Sequence, residues 1–148
     1  AVSHDEDLLR AFPKFESRAD VHYGLGLALQ NLDRLPQAIS AYEEAVKETD
    51  TETAAKAQFM IGECLFAKKK HDEAAAQFLK AAYGYPYEEW VGNAHFEAAR
   101  CFEVLKKLDQ ARESYRVLAE KYPKHPKARL AAERLKELQD VTPLKKGS

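Results

Sequence analysis

A chain of 148 residues, 45% hydrophobic and 32% charged, is long enough to bury about 70% of its unfolded surface in one domain without disulfides or metals, and too short for two large domains. Its 23 Lys and Arg against 24 Asp and Glu exclude the basic excess of a non-specific nucleic-acid binder, and the apolar content excludes a disordered chain. No apolar stretch approaches the ~20 residues that cross a bilayer, and the opening His4-Asp5-Glu6-Asp7 is unlike a secretory signal.

Glycine and proline number only six each, in a chain dominated by Ala, Leu, Glu and Lys, so the composition favours helix and the rare breakers mark helix ends. In chain order, Asp5 to Ala11, closed by Phe12-Pro13, reads as the end of a preceding repeat (5–18). Helical patterns follow over about Ala19–Leu32 and Leu35–Lys47, Thr53–Ala67 and His71–Tyr83, and Glu88–Leu105 and Leu108–Lys121, each pair joined by a short charged turn. These pairs are helical hairpins, and they divide the chain into units over 19–52, 53–87 and 88–124. An amphipathic segment from Pro126 to Leu138, with Leu130, Leu135 and Leu138 beside Lys and Glu, reads as a capping helix (126–140), and 141–148 as a tail. The sequence opens and closes as if cut from a longer array.

The units are in register. They read His22-x2-Leu25-Gly26-x2-Leu29 with Ala38-x3-Tyr42; Gln58-x2-Ile61-Gly62-x2-Leu65 with Ala74-x3-Phe78 and Pro86; and His95-x2-Ala98-Ala99-x2-Phe102 with Ala111-x3-Tyr115 and Pro123. Small residues at Gly26, Gly62 and Ala99 and at Ala38, Ala74 and Ala111 let paired helices approach closely, while Tyr42, Phe78 and Tyr115 fill the space beside them. This pattern resembles the tetratricopeptide repeat, whose signature is W-x2-L-G-x2-Y, then A-x3-F, then P. It departs in its missing tryptophans, in Ala99 for Gly, and in Asp50 where the closing proline belongs. The resemblance implies an all-α, right-handed α-solenoid of stacked hairpins: three repeats, a flanking partial repeat and a C-terminal cap. The closure Tyr122-Pro123-x-His125-Pro126-x-Ala128 further resembles repeats in bacterial envelope-associated members of the family, and leaves the compartment open between cytoplasm and periplasm.

No catalytic or cofactor motif is present: there is no HExxH, no GxSxG, no phosphate-binding glycine loop and no dinucleotide turn. The expectation is no enzyme, no cofactor and no metal site. His22 and His95 share the repeat position that holds Trp in the family, which implies packing. Ala28, Cys64 and Cys101 share another, and helix spacing of order 10 Å puts these cysteines beyond disulfide reach, as buried free thiols. Lys68-Lys69-Lys70 sits in a turn balanced by Asp72-Glu73. Neither a nucleic-acid partner nor membrane insertion is expected.

In the resembling family the concave face, lined by first helices, holds a peptide or partner helix. Register carries this onto Asp20, Tyr23, Leu27 and Gln30; Lys56, Phe59, Glu63 and Phe66; and Asn93, Phe96, Arg100 and Glu103, which step by three or four along each helix and so share a face. Tyr23, Phe59 and Phe96 form an aromatic column that reads either as partner anchors or as packing between repeats. Lys56, Asn93 and Arg100 are interrupted by acids, so the chain lacks the basic cluster with which some members grip a terminal carboxylate. The expected function is a non-catalytic scaffold binding a protein or peptide in the groove. The alternative is a structural spacer or self-associating segment of a longer protein.

Overall fold

Pro86, Pro123 and Pro126 fall between helices and Pro36 in the first turn of one, whereas Gly24, Gly26, Gly62 and Gly92 lie inside helices, so the prolines rather than the glycines mark helix ends. The computed structural model describes residues 17–141, and among them are seven helices: α1 Arg18–Asn31, α2 Leu35–Glu48, α3 Glu52–Ala67, α4 His71–Gly84, α5 Glu88–Val104, α6 Leu108–Lys121 and α7 Ala128–Val141. Most of the segment expected to end a preceding repeat, the tail beyond residue 141 and the Val141 side chain lie outside the described residues.

One turn is used three times. After α1 the N–H of Arg34 reaches the carbonyl of Leu29 and the N–H of Asp33 that of Gln30, and the same pair of bonds recurs at Lys70 and Lys69 after α3 and at Lys107 and Lys106 after α5. This is the helix-ending arrangement that requires a left-handed residue at its centre. Asp33, Lys69 and Lys106 supply it at φ 60°, 62° and 63°, each at a cost of about 1–2 kcal/mol because none is glycine. The middle of the Lys68-Lys69-Lys70 run is therefore a backbone corner.

The turns fold each pair of helices into a hairpin, and the hairpins stack in one direction. Each helix packs chiefly on its neighbours in the chain, and the first helices α1, α3 and α5 touch in succession. Among the described residues the arrangement is thus an open all-α solenoid. The expected cap begins two residues late, at Ala128. Pro126 biases His125 away from helix, and 122–127 forms turns instead, with His125 N–H on Tyr122 O and Ala128 N–H on His125 O, both at 3.0 Å.

Inside each hairpin a ring of the second helix enters a socket of small residues. Tyr42, Phe78 and Tyr115 are at most 1% exposed, and Ala38, Ala74, Ala99 and Ala111 are fully buried. The fit is close enough that a Cβ on Gly26 would lie 2.5 Å from the Tyr42 ring, and one on Gly62 2.5 Å from that of Phe78. Gly62→Ala is expected to cost about 1–3 kcal/mol in urea unfolding. Phe78→Leu in the same chain should return part of that loss; a double variant whose losses simply add would contradict the fit.

His95 is 1% exposed, with the Tyr83 ring edge-on at 5.0 Å, the Tyr122 ring at 6.1 Å, and no hydrogen-bond partner for Nδ1. His22 is half-buried, its Nδ1 2.6 Å from Glu48. Burial, with a smaller push from Lys121, lowers the His95 pKa to about 4, against about 6.5 when unfolded. The unfolded chain therefore binds the extra proton first. Stability present above pH 6.5 is lost as pH falls through that window, by at most about 3 kcal/mol. His95→Phe should flatten the unfolding free energy between pH 6.5 and 4 relative to the parent chain, and an unchanged slope would refute the assignment.

Candidate functional site

The first helices α1, α3 and α5 carry the concave face, and α3 and α5 each begin by linking to the first helix of the preceding hairpin. Thr53 Oγ1 donates to Asp20 at 2.6 Å, and Trp90 Nε1 donates to Glu52 at 3.0 Å. Every ring in the expected column meets the socket ring of its own hairpin: Tyr23 lies 5.8 Å from Tyr42, Phe59 5.2 Å from Phe78 and Phe96 5.7 Å from Tyr115. Tyr23 and Phe96 remain half-exposed, whereas Phe59 is 5% exposed. Trp90, reaching back from α5, covers Phe59 with ring centroids 5.5 Å apart. Of the two readings open for the column, the burial of Phe59 under Trp90 supports packing between repeats at this position.

The position near the end of each first helix follows the chemistry of the socket ring. Gln30 accepts the Tyr42 hydroxyl proton at 2.7 Å, and Glu103 that of Tyr115 at 2.5 Å. Phe78 has no hydroxyl, and there the residue is Phe66. Its ring packs edge-on to His71 at 4.7 Å.

The groove cations are occupied from within. Lys56 stands over the Tyr23 ring at 5.6 Å, Arg100 over Phe66 at 5.2 Å, and Lys127 over Phe96 at 5.1 Å. Each comes from the segment following the ring's own hairpin, so these contacts tie successive units together. Arg100 also pairs with Glu97 at 2.7 Å, Lys127 with the same carboxylate at 3.8 Å, and Arg134 with both Glu103 and Glu137. Burial alone would raise the Glu103 carboxyl, but the bonds from Arg134 and Tyr115 hold it below the usual carboxylate value.

Glu63 differs. It is half-buried on α3, it is hydrogen-bonded to the Gln30 side chain, and no ion pair among the described residues includes it. Burial, then the charge of Glu97, push its carboxyl above the usual range, against opposing contributions from Lys127 and Gln30.

Two open cavities lie along this face. One of about 270 Å³ is lined by Gln30, Glu63, Phe66, Phe78, Glu97 and Arg100. The other, about 400 Å³, lies between α5 and α7, where Phe96, Val104, Tyr115 and Leu130 meet Arg100, Glu103 and Arg134. Val104 and Leu130, 50% and 51% exposed, lie together on the wall of this second cavity. The structure thus brings Gln30, Glu63, Phe66, Phe96, Arg100 and Glu103 together around adjoining cavities. Asp20, Tyr23 and Lys56 sit further along the face, engaged with Thr53 and with one another; Leu27 packs on the core beside Tyr23, and Asn93 is half-buried on α5.

Sequence reasoning missed Glu97, Lys127, Leu130 and Arg134. Glu97 follows Phe96 directly but matches Gly24 and Met60 in the other units, so no column marks it. The other three belong to the cap and its approach, where repeat register was not carried. His125 was also passed over: its ring lies against Gly92 where a Cβ would stand, with Nε2 on the Glu89 carbonyl at 2.9 Å and Nδ1 accepting the Lys127 N–H at 3.0 Å.

Neither thiol is reactive. Burial, with Glu63 and Glu97 adding to it respectively, pushes Cys64 up to about 11 and Cys101 up to about 12, so both stay protonated at neutral pH. Among the described residues no cluster of three or more His, Cys, Asp or Glu side chains is arranged to hold a metal ion, and no helix is long and apolar enough to cross a membrane.

Family models described as tetratricopeptide repeat match residues 6–53, 23–89 and 93–125. A TPR repeat-containing protein of Treponema pallidum (strain Nichols) is 31% identical over 85 residues, covering 56% of this chain and 36% of that protein, so the chain spans about a third of that relative. The structure titled as the apo form of RapI superposes with a TM-score of 0.78 over 95% of this chain and 43% of that one, at 15% identity, a likeness of fold.

Proposed function

The chain belongs to the tetratricopeptide repeat family, and from that premise we propose that it is a non-catalytic scaffold that binds a peptide or helix of a partner protein in its concave groove. Repeats of this family are in general protein-interaction modules, and a solenoid that contacts only its neighbours leaves its inner face free for a partner. The observation that carries the reading is the pair of adjoining cavities along α3, α5 and α7, walled by rings and flanked by the half-exposed Val104 and Leu130. Aromatic and Arg side chains around a partly apolar cleft concentrate binding energy. The cavity residues are proposed as the contact set, with Tyr23 and Lys56 extending it towards the first repeat.

A second reading, a self-associating or spacer segment, draws on the outer face. There Tyr83, 68% exposed, borders an open cavity with Gln58, Lys80 and Tyr85.

The test begins with proteins captured from source-cell lysate and identified by mass spectrometry, each then titrated directly against the parent chain and a Val104→Arg/Leu130→Arg variant, which fills the cavity mouth from two exposed positions. Both substitutions are exposed, so the circular dichroism melt should be unchanged while a groove-bound partner loses about tenfold or more in affinity. Equal affinity would contradict groove use. Concentration-dependent light scattering that Tyr83→Asp abolishes would support the second reading.

A further inference from the structure

Resting on the groove reading, we infer the partner's chemistry: its segment presents a Lys or Arg side chain to Glu63 and, a few residues away, an apolar side chain to the cavity between α5 and α7. The argument is one of charge complementarity. Arg100, Lys127 and Arg134 each already face a carboxylate of this chain, and Lys56, Arg100 and Lys127 each also cover a ring. An incoming carboxylate would have to displace one of those pairs. Glu97 and Glu103 are likewise matched by cations, which leaves Glu63 as the acid lining the two cavities with no ion pair among the described residues.

Glu63 also lies where a cation gains most. It is half-buried, in a cavity whose wall includes Phe66 and a second carboxylate, Glu97. An ammonium or guanidinium entering there meets two acids, and its alkyl stem lies along the ring. Burial and Glu97 disfavour the Glu63 charge in the free protein, so a cationic side chain relieves an existing electrostatic cost.

The neighbouring cavity sets the second feature. It shares Arg100 with the first, and its wall of Phe96, Val104, Tyr115 and Leu130 suits a Leu, Ile, Met or Phe side chain. First helices of successive units stand about 10 Å apart, a span of about three residues in an extended segment and about two turns of a helix. The expected pattern is a basic residue and a large apolar residue at one of those separations.

A random 12-residue peptide library displayed on phage, selected on the immobilised chain, tests this whatever the natural partner is. The inference expects enrichment of Lys or Arg paired with a large apolar residue at those spacings. For a selected synthetic peptide, Glu63→Gln and replacement of the peptide's basic residue by norleucine should each weaken binding about tenfold. The two changes together should cost little more than either alone, and Leu130→Ala should weaken binding with the basic preference intact. Glutamine is isosteric, and an unchanged melting temperature establishes that the variant is folded. Groove-dependent peptides that are acidic or carry no cation overturn this inference and leave the groove reading standing. Peptides that bind the Val104→Arg/Leu130→Arg variant as well as the parent, or no enrichment at all, overturn both.

Discussion

The structure depends on the insertion of one aromatic ring per hairpin into a socket of small residues, which in the first two hairpins leaves no room for another carbon. Tyr42 and Phe78 occupy the space where Gly26 and Gly62 lack a side chain, and Tyr115 is buried in the hairpin that carries Ala99 and Ala111. The ring fixes how close the two helices come. With that separation repeated three times and the same left-handed corner at Asp33, Lys69 and Lys106, each hairpin is a near copy of the last, and stacking copies in one direction gives a solenoid.

The groove inherits its composition from the same interaction. The first-helix residue near each socket ring differs with that ring's chemistry: an oxygen acceptor where the ring is Tyr, and Phe66, sharing a cavity wall, where it is Phe78. The rings set beside them, Tyr23 and Phe96, receive a cation from the following segment, while Phe59 receives Trp90. Much of what resembles a binding surface in sequence is thus mortar between units. What is left over is local: Glu63, the walls of two cavities, and two half-exposed aliphatic side chains near the cap.

This division explains what could be read in advance. The helices, their hairpin pairing and the buried columns were legible because packing repeats with the period of the sequence, so that Gly26, Gly62 and Ala99 announce one another. The candidate site was legible as a face, but which side chains line its cavities was not. Phe59 and Phe96 occupy the same repeat position, yet one is buried and the other half-exposed because the unrepeated Trp90 covers only the first. Lys127, Leu130 and Arg134 enter the groove from the cap, which carries no signature, and Lys127 is placed through the contact of His125 with Gly92. The match of Gln30 and Glu103 to tyrosines and of Phe66 to Phe78 was present in the sequence, and reading pairs of columns together would have found it.

The socket is the premise on which both the solenoid and the groove stand, and ring-current NMR observes it directly. With Phe78 seated on Gly62 and Tyr42 on Gly26, the Hα protons of both glycines should be shifted upfield and give strong nuclear Overhauser effects to the ring protons of their partners. Glycine Hα signals at their random-coil positions, with no cross-peaks to those rings, would contradict the account.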